Sequence, residues 1–294
     1  MSDLQILLNH IAQLSGQNLQ GHRLSSVAGG DINQAYHLQT AQLNWFIKLN
    51  QAHLVDMFSA EAAGLQALAA SQTVRVPQLI SYGACPPYAY LVLEHITLKS
   101  LNSLGARRLG QQLAALHSPS KQTEFGWIRN NTIGPTPQSN TWHTDWIHFW
   151  QQERLAPQLQ LAAQNGYHGQ LQSLGDQLIT KFDRFFDSYQ PHPALLHGDL
   201  WGGNAAADLQ DQPVLFDPAC YYGDRETDLA MTELFGGFGS DFYAAYNEAL
   251  PLDVGYKTRK TLYNLYHILN HLNLFGSAYL RQSTDMIAKL LAEL

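Results

Sequence analysis

The hydrophobic period of this chain changes once, near residue 97, and that change limits the folds open to it. Before it, short apolar runs such as "LNWFIKLN" and "YAYLVLEHI" alternate with turn residues; beyond Lys99, apolar side chains recur every three or four positions over long stretches. A single repeating architecture cannot satisfy both textures. The pattern predicts an α+β chain of two lobes: a small β-rich lobe over residues 1–96, a connection near residues 94–100, and a larger, mostly helical lobe over 97–294.

Within the first lobe, Leu4, Leu7, Leu8, Ile11 and Leu14 behind a Ser2 or Asp3 cap predict an amphipathic helix. Three strands follow in "RLSSVAGGDINQAYHLQT" and "LNWFIKLN", then a helix over Leu54–Ala70, then two strands in "VRVPQLISYG" and "YAYLVLEHI" around a Pro-Pro turn. Five strands and one inserted helix result. In the second lobe, helices are expected over Leu101–His117, Trp146–Asn165 and Leu171–Tyr189, with two or three more from Thr227 onward. Strand is expected there only in "PVLFDP" and just after Asn204. The stretch Ser118–Thr144, rich in Pro, Gly and Asn, has no period; unstructured stretches of that length are usually functional or mobile.

Bulk properties narrow the partners. With 294 residues the chain can bury a sizeable core, and 17 Lys and Arg against 24 Asp and Glu give a net charge of −7. That balance argues against a broad nucleic-acid footprint or an anionic membrane surface, so any phosphate site must be local. No signal-like start or membrane-length apolar run occurs, which points to the cytoplasm, and Cys85 and Cys220 suggest neither a disulfide framework nor a thiolate metal site. A monomer is the default.

The densest chemistry lies in "LLHGDLWGGN", Leu195 to Asn204. Asn204 follows Asp199 by five residues, and Asp217 follows it by eighteen at the end of the apolar run "VLFDP". Phosphoryl transfer needs a carboxylate to take the proton of the attacking hydroxyl, and oxygen ligands for the magnesium that neutralises the triphosphate. Asp199 fits the first role; Asn204 and Asp217 fit the second. A Gly-rich turn whose Asp and Asn merely cap backbone groups remains an alternative at this point.

Other residues bear on the same chemistry. Lys48, mid-strand in "WFIKLN", either faces solvent or pairs with Glu61, thirteen residues on in the inserted helix, to hold the α- and β-phosphates of ATP. Gly29, Gly30 and Asp31 in "GGDIN" are either a hairpin turn or a phosphate-approaching loop. Glu94, His95 and Ile96 close the last strand where adenine could meet exposed backbone. His267 and His271 have the spacing of a zinc pair but lack the Glu and third ligand of such a site. Trp142, Trp146, Phe149 and Trp150 are expected in the core or in a cleft wall.

Taken together, these stretches resemble the fructosamine kinase, or ketosamine-3-kinase, family within the aminoglycoside-phosphotransferase-like branch of the protein-kinase-like fold. "HGD" with an Asn five residues on is common to small-molecule kinases, whereas the "LWGGN" continuation is more specific; "FIKLN", "EAAGLQAL", "FGWIRNNTIGPTPQSN", "ERLAPQL" and "FDPACYYGDRETDLAMTELFGGF" extend the likeness over nearly the whole chain. The resemblance implies transfer of the ATP γ-phosphoryl group to the 3-hydroxyl of a ketosamine, carried on a small molecule or a glycated protein lysine, with ATP and Mg2+ required. By position it implies Asp199 as catalytic base touching the acceptor, Asn204 and Asp217 at the metal, Lys48 with Glu61 on the phosphates, and Glu94–Ile96 at the adenine. It further implies Trp201 as a wall of the sugar pocket, His197 as a brace, and Asp224, Arg225, Glu226 and Asp228 as loop-anchoring ion pairs. Asp31 stands where some relatives carry a disulfide-forming Cys, which argues against a redox-switched dimer.

Three other readings compete with this one. An aminoglycoside- or choline-type phosphotransferase would keep the same fold with another acceptor. A metallophosphoesterase requires a D-x-H ahead of its Gly-Asp element, and no Asp upstream of Asp199 has a His two residues on. A non-catalytic ATP-binding module would be expected to have lost the base or the metal ligands, all of which are present.

Overall fold

The computed structural model describes residues 2–27 and 33–294. Helix α1 (Asp3–Ser15) starts where Ser2 Oγ accepts the Gln5 N–H and stops at Gly16, whose φ of 67° an L side chain resists. Strands β1 (Arg23–Val27), β2 (Gln34–Gln39) and β3 (Asn44–Gln51) lead through a short 3-10 turn into α2 (Val55–Ser71), followed by β4 (Leu79–Cys85) and β5 (Tyr88–Glu94). The five strands form one antiparallel sheet in the order β1-β2-β3-β5-β4.

Strand alternation decides what each sheet face does. Trp45, Ile47 and Leu49 of β3, with Tyr90 and Val92 of β5, pack beneath Leu7, Leu8 and Ile11 of α1. Their neighbours Phe46 and Lys48 therefore face the opposite side, toward the cavity between the lobes. On that side Leu91 and Leu93 join Phe58, Leu65 and Leu68 of α2 in a core that runs on into the helical half.

The second lobe opens with α3 (Ser103–Leu116), capped by Asn102 Oδ1 accepting the Gly105 N–H at 2.8 Å. A hairpin of β6 (Asn131–Ile133) and β7 (Thr136–Gln138) precedes α4 (Trp146–Trp150), a π-helical turn over Gln151–Leu155, and α5 (Ala156–Gln164). Then come α6 (Gln170–Thr180), a 3-10 turn over Phe182–Phe186, β8 (Ala194–Leu196), β9 (Ala205–Ala207), β10 (Pro213–Leu215) and β11 (Tyr221–Gly223). Helices α7 (Glu226–Leu234), α8 (Ser240–Ala249), α9 (Tyr256–Phe275) and α10 (Leu280–Ala292) complete it. Among the described residues no helix is long and apolar enough to cross a membrane.

The two-lobed α+β architecture agrees with the sequence reading, and three local expectations change. Strands β6, β7, β8 and β11 were not expected; each is three residues long, too short for an alternation to register. Residues 146–165 do not form one regular helix, because Pro157 offers no N–H to the Glu153 carbonyl, and Arg154 Nη1 donates to that oxygen instead at 2.9 Å. The helix expected to reach Tyr189 ends at Thr180 and tightens into the 3-10 turn.

Candidate active site

Two hydrogen-bonded pairs, β8 with β11 and β9 with β10, bracket the segment 197–204 and hold it open to the cavity. The buried carboxylate of Asp228 at the start of α7 accepts the N–H groups of His197 (2.8 Å) and Gly198 (2.9 Å), fixing the loop's entry. Although burial works against its charge, His117, His197 and the Gly198 amide hold this carboxyl below its ordinary range, so it stays an anion. Gly198 has φ 83°, and a Cβ there would lie 2.1 Å from the Ala219 carbonyl oxygen; only glycine fits.

His197 has no free nitrogen for chemistry. Its Nε2–H donates to the Phe216 carbonyl at 3.0 Å, its Nδ1 accepts the Asp199 N–H at 3.3 Å, and burial pushes its pKa down. It braces the loop, as the resemblance implied.

Asp199 lies on the cavity with Asn204 folded onto it: the Asn204 side-chain amide donates to the Asp199 carbonyl at 2.8 Å and to Oδ2 at 3.0 Å. Burial is the largest influence on the Asp199 carboxyl; the Asn204 hydrogen bond opposes it, and the charges of Asp217 and Asp228 add to it, leaving a pKa of about 7. Asp217 follows β10 in the left-handed region, φ 58°, which short polar residues tolerate. Lys48 Nζ binds Asp217 Oδ1 at 2.6 Å and Glu61 Oε1 at 2.7 Å. Burial alone would lower the Lys48 pKa, but the two carboxylates outweigh it and raise it, keeping the ammonium charged. The solvent-facing alternative for Lys48 is thus excluded.

These groups line a cavity of about 500 Å³ that continues past Phe46, Leu93 and Phe216 to residues 94–96. There the Glu94 N–H goes to the Gln78 carbonyl (2.8 Å) and the His95 N–H to the Asn44 carbonyl (3.0 Å). The Glu94 carboxylate is taken by Arg75 and the Gln78 N–H, and the His95 ring stacks on His37 with centroids 3.8 Å apart. Of the three amides only that of Ile96 is without a protein partner among the described residues. Gly29, Gly30 and Asp31 lie outside the described residues.

At the other end the Trp201 ring forms part of the wall, 38 % exposed. It lies across Gly203, where a Cβ would meet the ring at 2.3 Å, and its edge rests on Phe235. The second glycine of "WGG" is therefore a seat for the tryptophan. Trp146, Phe149 and Trp150 are core residues, and His267 and His271 join no group of three His, Cys, Asp or Glu among the described residues. Both thiols are free.

The "YYGDRETD" segment needs one correction. Glu226 makes an ion pair, two-pronged, with Arg259 at 2.7 and 3.0 Å, and Asp228 faces His117 Nε2 at 3.2 Å, but Asp224 and Arg225 use other partners. Asp224 accepts the hydroxyls of Tyr189 and Tyr263, Arg225 donates to the carbonyls of Leu250 and Pro251, and Asp228 takes the loop amides as well. Carbonyls and hydroxyls satisfy buried charges as ions do, and spacing alone does not distinguish them. The sequence reading also missed Arg75, which bridges Glu94 and Asp208, and the polar residues of 129–140. A lone Arg in "VRVP" gave no signal of a partner far along the chain.

Comparison with known proteins bears directly on this arrangement. The family profile described as fructosamine kinase matches residues 4–293. The chain belongs to that family. It is 46% identical over 287 residues to a protein of Synechocystis named as a probable ketoamine kinase, covering 98% of this chain and 96% of that one. With the chloroplastic protein-ribulosamine 3-kinase of Arabidopsis thaliana it shares 42% identity over 274 residues, 92% of this chain and 83% of the relative. A crystal structure from Haemophilus somnus, named for a fructosamine-3-kinase, superposes with a TM-score of 0.88 at 28% identity, covering 97% and 96% of the two chains. The choline kinase LicA of Streptococcus pneumoniae shares the fold alone, with a TM-score of 0.66 at 15% identity over 99% of each chain.

Proposed function

We propose that the protein transfers the γ-phosphoryl group of ATP to the 3-hydroxyl of a ketosamine, borne by a small amine or by a glycated protein lysine. The observation that carries the reading is the convergence on one cavity of Lys48, paired with Glu61 and Asp217, and of Asp199, bonded to Asn204. In this proposal residues 1–96 hold the nucleotide and residues 97–294 supply the catalytic loop and the acceptor pocket. A monomer acting in the cytoplasm suits the substrate ATP and the two unpaired thiols.

The chain's own groups divide the work. The apolar slot ending at Glu94, His95 and Ile96 receives the adenine, with the Ile96 N–H as donor to its edge. Gly29, Gly30 and Asp31 are proposed to cover the phosphates, and the Lys48 ammonium, held by Glu61, to pair with the α- and β-phosphates. Asp199 accepts the proton of the attacking hydroxyl through its carboxylate, while the Asn204 amide fixes that carboxylate in place. Trp201 offers its face to the sugar.

The donor set suits magnesium. Asn204 spends its NH2 on Asp199 and leaves its amide oxygen without a protein donor among the described residues, and the half-exposed Asp217 has a second oxygen beyond the one facing Lys48. Two hard oxygens completed by phosphate oxygens and water are what Mg2+ prefers. When bound, the ion neutralises charge on the phosphates. Phosphorylation at the 3-hydroxyl makes the adduct prone to elimination, freeing the amine, so the activity serves deglycation.

The test is ATP consumption coupled to ribulosamine, erythrulosamine and fructosamine acceptors, free and protein-bound. Turnover of at least one is expected; inactivity on all, with turnover of an aminoglycoside or choline, would replace this reading.

A further inference from the structure

We infer that Arg129 is a positioning residue for phosphoryl transfer: it straps the helix that carries Glu61 to the loop that carries Asp217, and so sets the contacts Lys48 makes with both. The inference rests on the reading of those three groups as the phosphate and metal end of the site.

The aperiodic segment Ser118–Thr144 is where the strap originates. Arg129 Nη1 donates to Ser59 Oγ at 2.5 Å and Nη2 to the Asp56 carbonyl at 3.4 Å. Both acceptors lie in the first turns of α2, and Ser59 precedes Glu61 by two residues. Two residues beyond Arg129, the Asn131 side chain donates to the Cys220 carbonyl at 2.9 Å, three residues after Asp217. One short piece of chain thus grips both carriers.

Its base is fixed from below. The Asn140 side chain donates to the Arg129 carbonyl (3.1 Å) and to Asn131 Oδ1 (2.9 Å), and is itself held by Arg154 Nη2 at 2.7 Å. Arg154 is fully buried between the rings of Phe149 and Tyr221 and also donates to the Ser139 carbonyl. A rigid base with one reaching side chain is what a strap requires.

Helix α2 also meets the same loop closely at Gly64, where a Cβ would lie 3.2 Å from both Cys220 Sγ and Pro218 Cγ. Phe58, Leu65 and Leu68 seat the helix on the core, but apolar packing is non-directional and does not fix its rotation as directional hydrogen bonds do. The Arg129 grip lies at the other side of Glu61, so together the two points fix where the Glu61 carboxylate sits. Contacts of 2.6 and 2.7 Å at Lys48 do not survive ångström-scale rocking, and misplacement of that size is costly in a preorganised site. A lysine could replace one of the two donors of the planar guanidinium, not both.

The experiment compares Arg129→Ala, Arg129→Lys, Ser59→Ala and the double alanine variant by steady-state kinetics, by calorimetric titration with MgATP, and by hydrogen exchange over residues 55–62 without nucleotide. In Arg129→Ala, which removes both hydrogen bonds to α2, kcat/KM for ATP is expected to fall about tenfold or more, at least the worth of one hydrogen bond with a charged partner. The MgATP affinity should weaken in step, α2 should exchange faster, and the acceptor KM should stay within about twofold. Arg129→Lys should recover part of the loss, and the double variant should be no worse than Arg129→Ala. Equal losses for ATP and acceptor, a loss that tracks unfolded protein, additive single variants, or unchanged exchange in α2 would overturn the strap. MgATP binding and exchange need no acceptor: a chain that passes both yet phosphorylates no ketosamine keeps its strap and loses the substrate reading.

Discussion

Asp199 and Gly203 show how single residues in one loop divide between chemistry and support. Among the described residues Asp199 is the carboxylate that Asn204 holds on the cavity, so Asp199→Asn is expected to lower kcat by about 10²-fold or more, the usual worth of a positioned base. MgATP affinity in that variant, measured by calorimetry, should stay within about threefold; an active variant would remove Asp199 from the mechanism. The two glycines before Asn204 look alike in sequence and differ in the fold. A Cβ on Gly203 would meet the Trp201 ring at 2.3 Å, whereas on Gly202 the nearest contact is Phe238 at 4.0 Å. Gly203→Ala is therefore expected to swing the tryptophan and raise the acceptor KM about tenfold, with Gly202→Ala near wild type. Kinetics in which both variants behave alike would take Trp201 off the acceptor wall.

Among the elements, α9 carries the clearest consequence for pH. His267 is buried on it, and burial together with His271 pushes its pKa down to about 3; the Asp228 charge opposes this and Arg154 reinforces it. The histidine is neutral in the folded chain, while in the unfolded chain it titrates near its ordinary 6.5. From there downward the unfolded state gains a proton that the folded state refuses, so stability is complete above that pH and declines as the pH falls. Half-buried His271 is displaced in the same direction and adds to the effect. The melting temperature should drop between about pH 7.5 and about pH 5.5, and drop less in His267→Gln; parallel curves for the two proteins would assign the acid sensitivity elsewhere. The elements also mark where local pattern sufficed. Helix α2 is legible because apolar and small residues recur over seventeen positions; β6 and β7 are not, because three residues hold no period and their partners are fixed by Asn131, Gln138 and Asn140.

Across the whole molecule, the core that joins α2 and β5 to the second lobe holds a buried polar hub around Arg154. Among the described residues no carboxylate pairs with it; carbonyl oxygens and the Asn140 amide take its two terminal nitrogens, aromatic rings flank it, and its Nε has no hydrogen-bond partner. Arg154→Leu removes the donor that holds Asn140 and leaves three polar acceptors without it, an expected loss of about 3 kcal/mol or more, read by urea unfolding. A loss under about 1 kcal/mol would show that water replaces the guanidinium there. The sequence by itself determined the two textures of the chain, the order of its long helices and the spacing of Asp199, Asn204 and Asp217, since periodicity and loop spacing are local properties. Only the tertiary structure decided that Lys48 is held between Glu61 and Asp217 rather than facing solvent, that Asp228 holds the amides of His197 and Gly198, and that the second glycine of "LWGGN" seats the tryptophan. Each of those outcomes depends on groups brought together from distant stretches, and what satisfies a buried charge is whichever donor or acceptor the packing delivers.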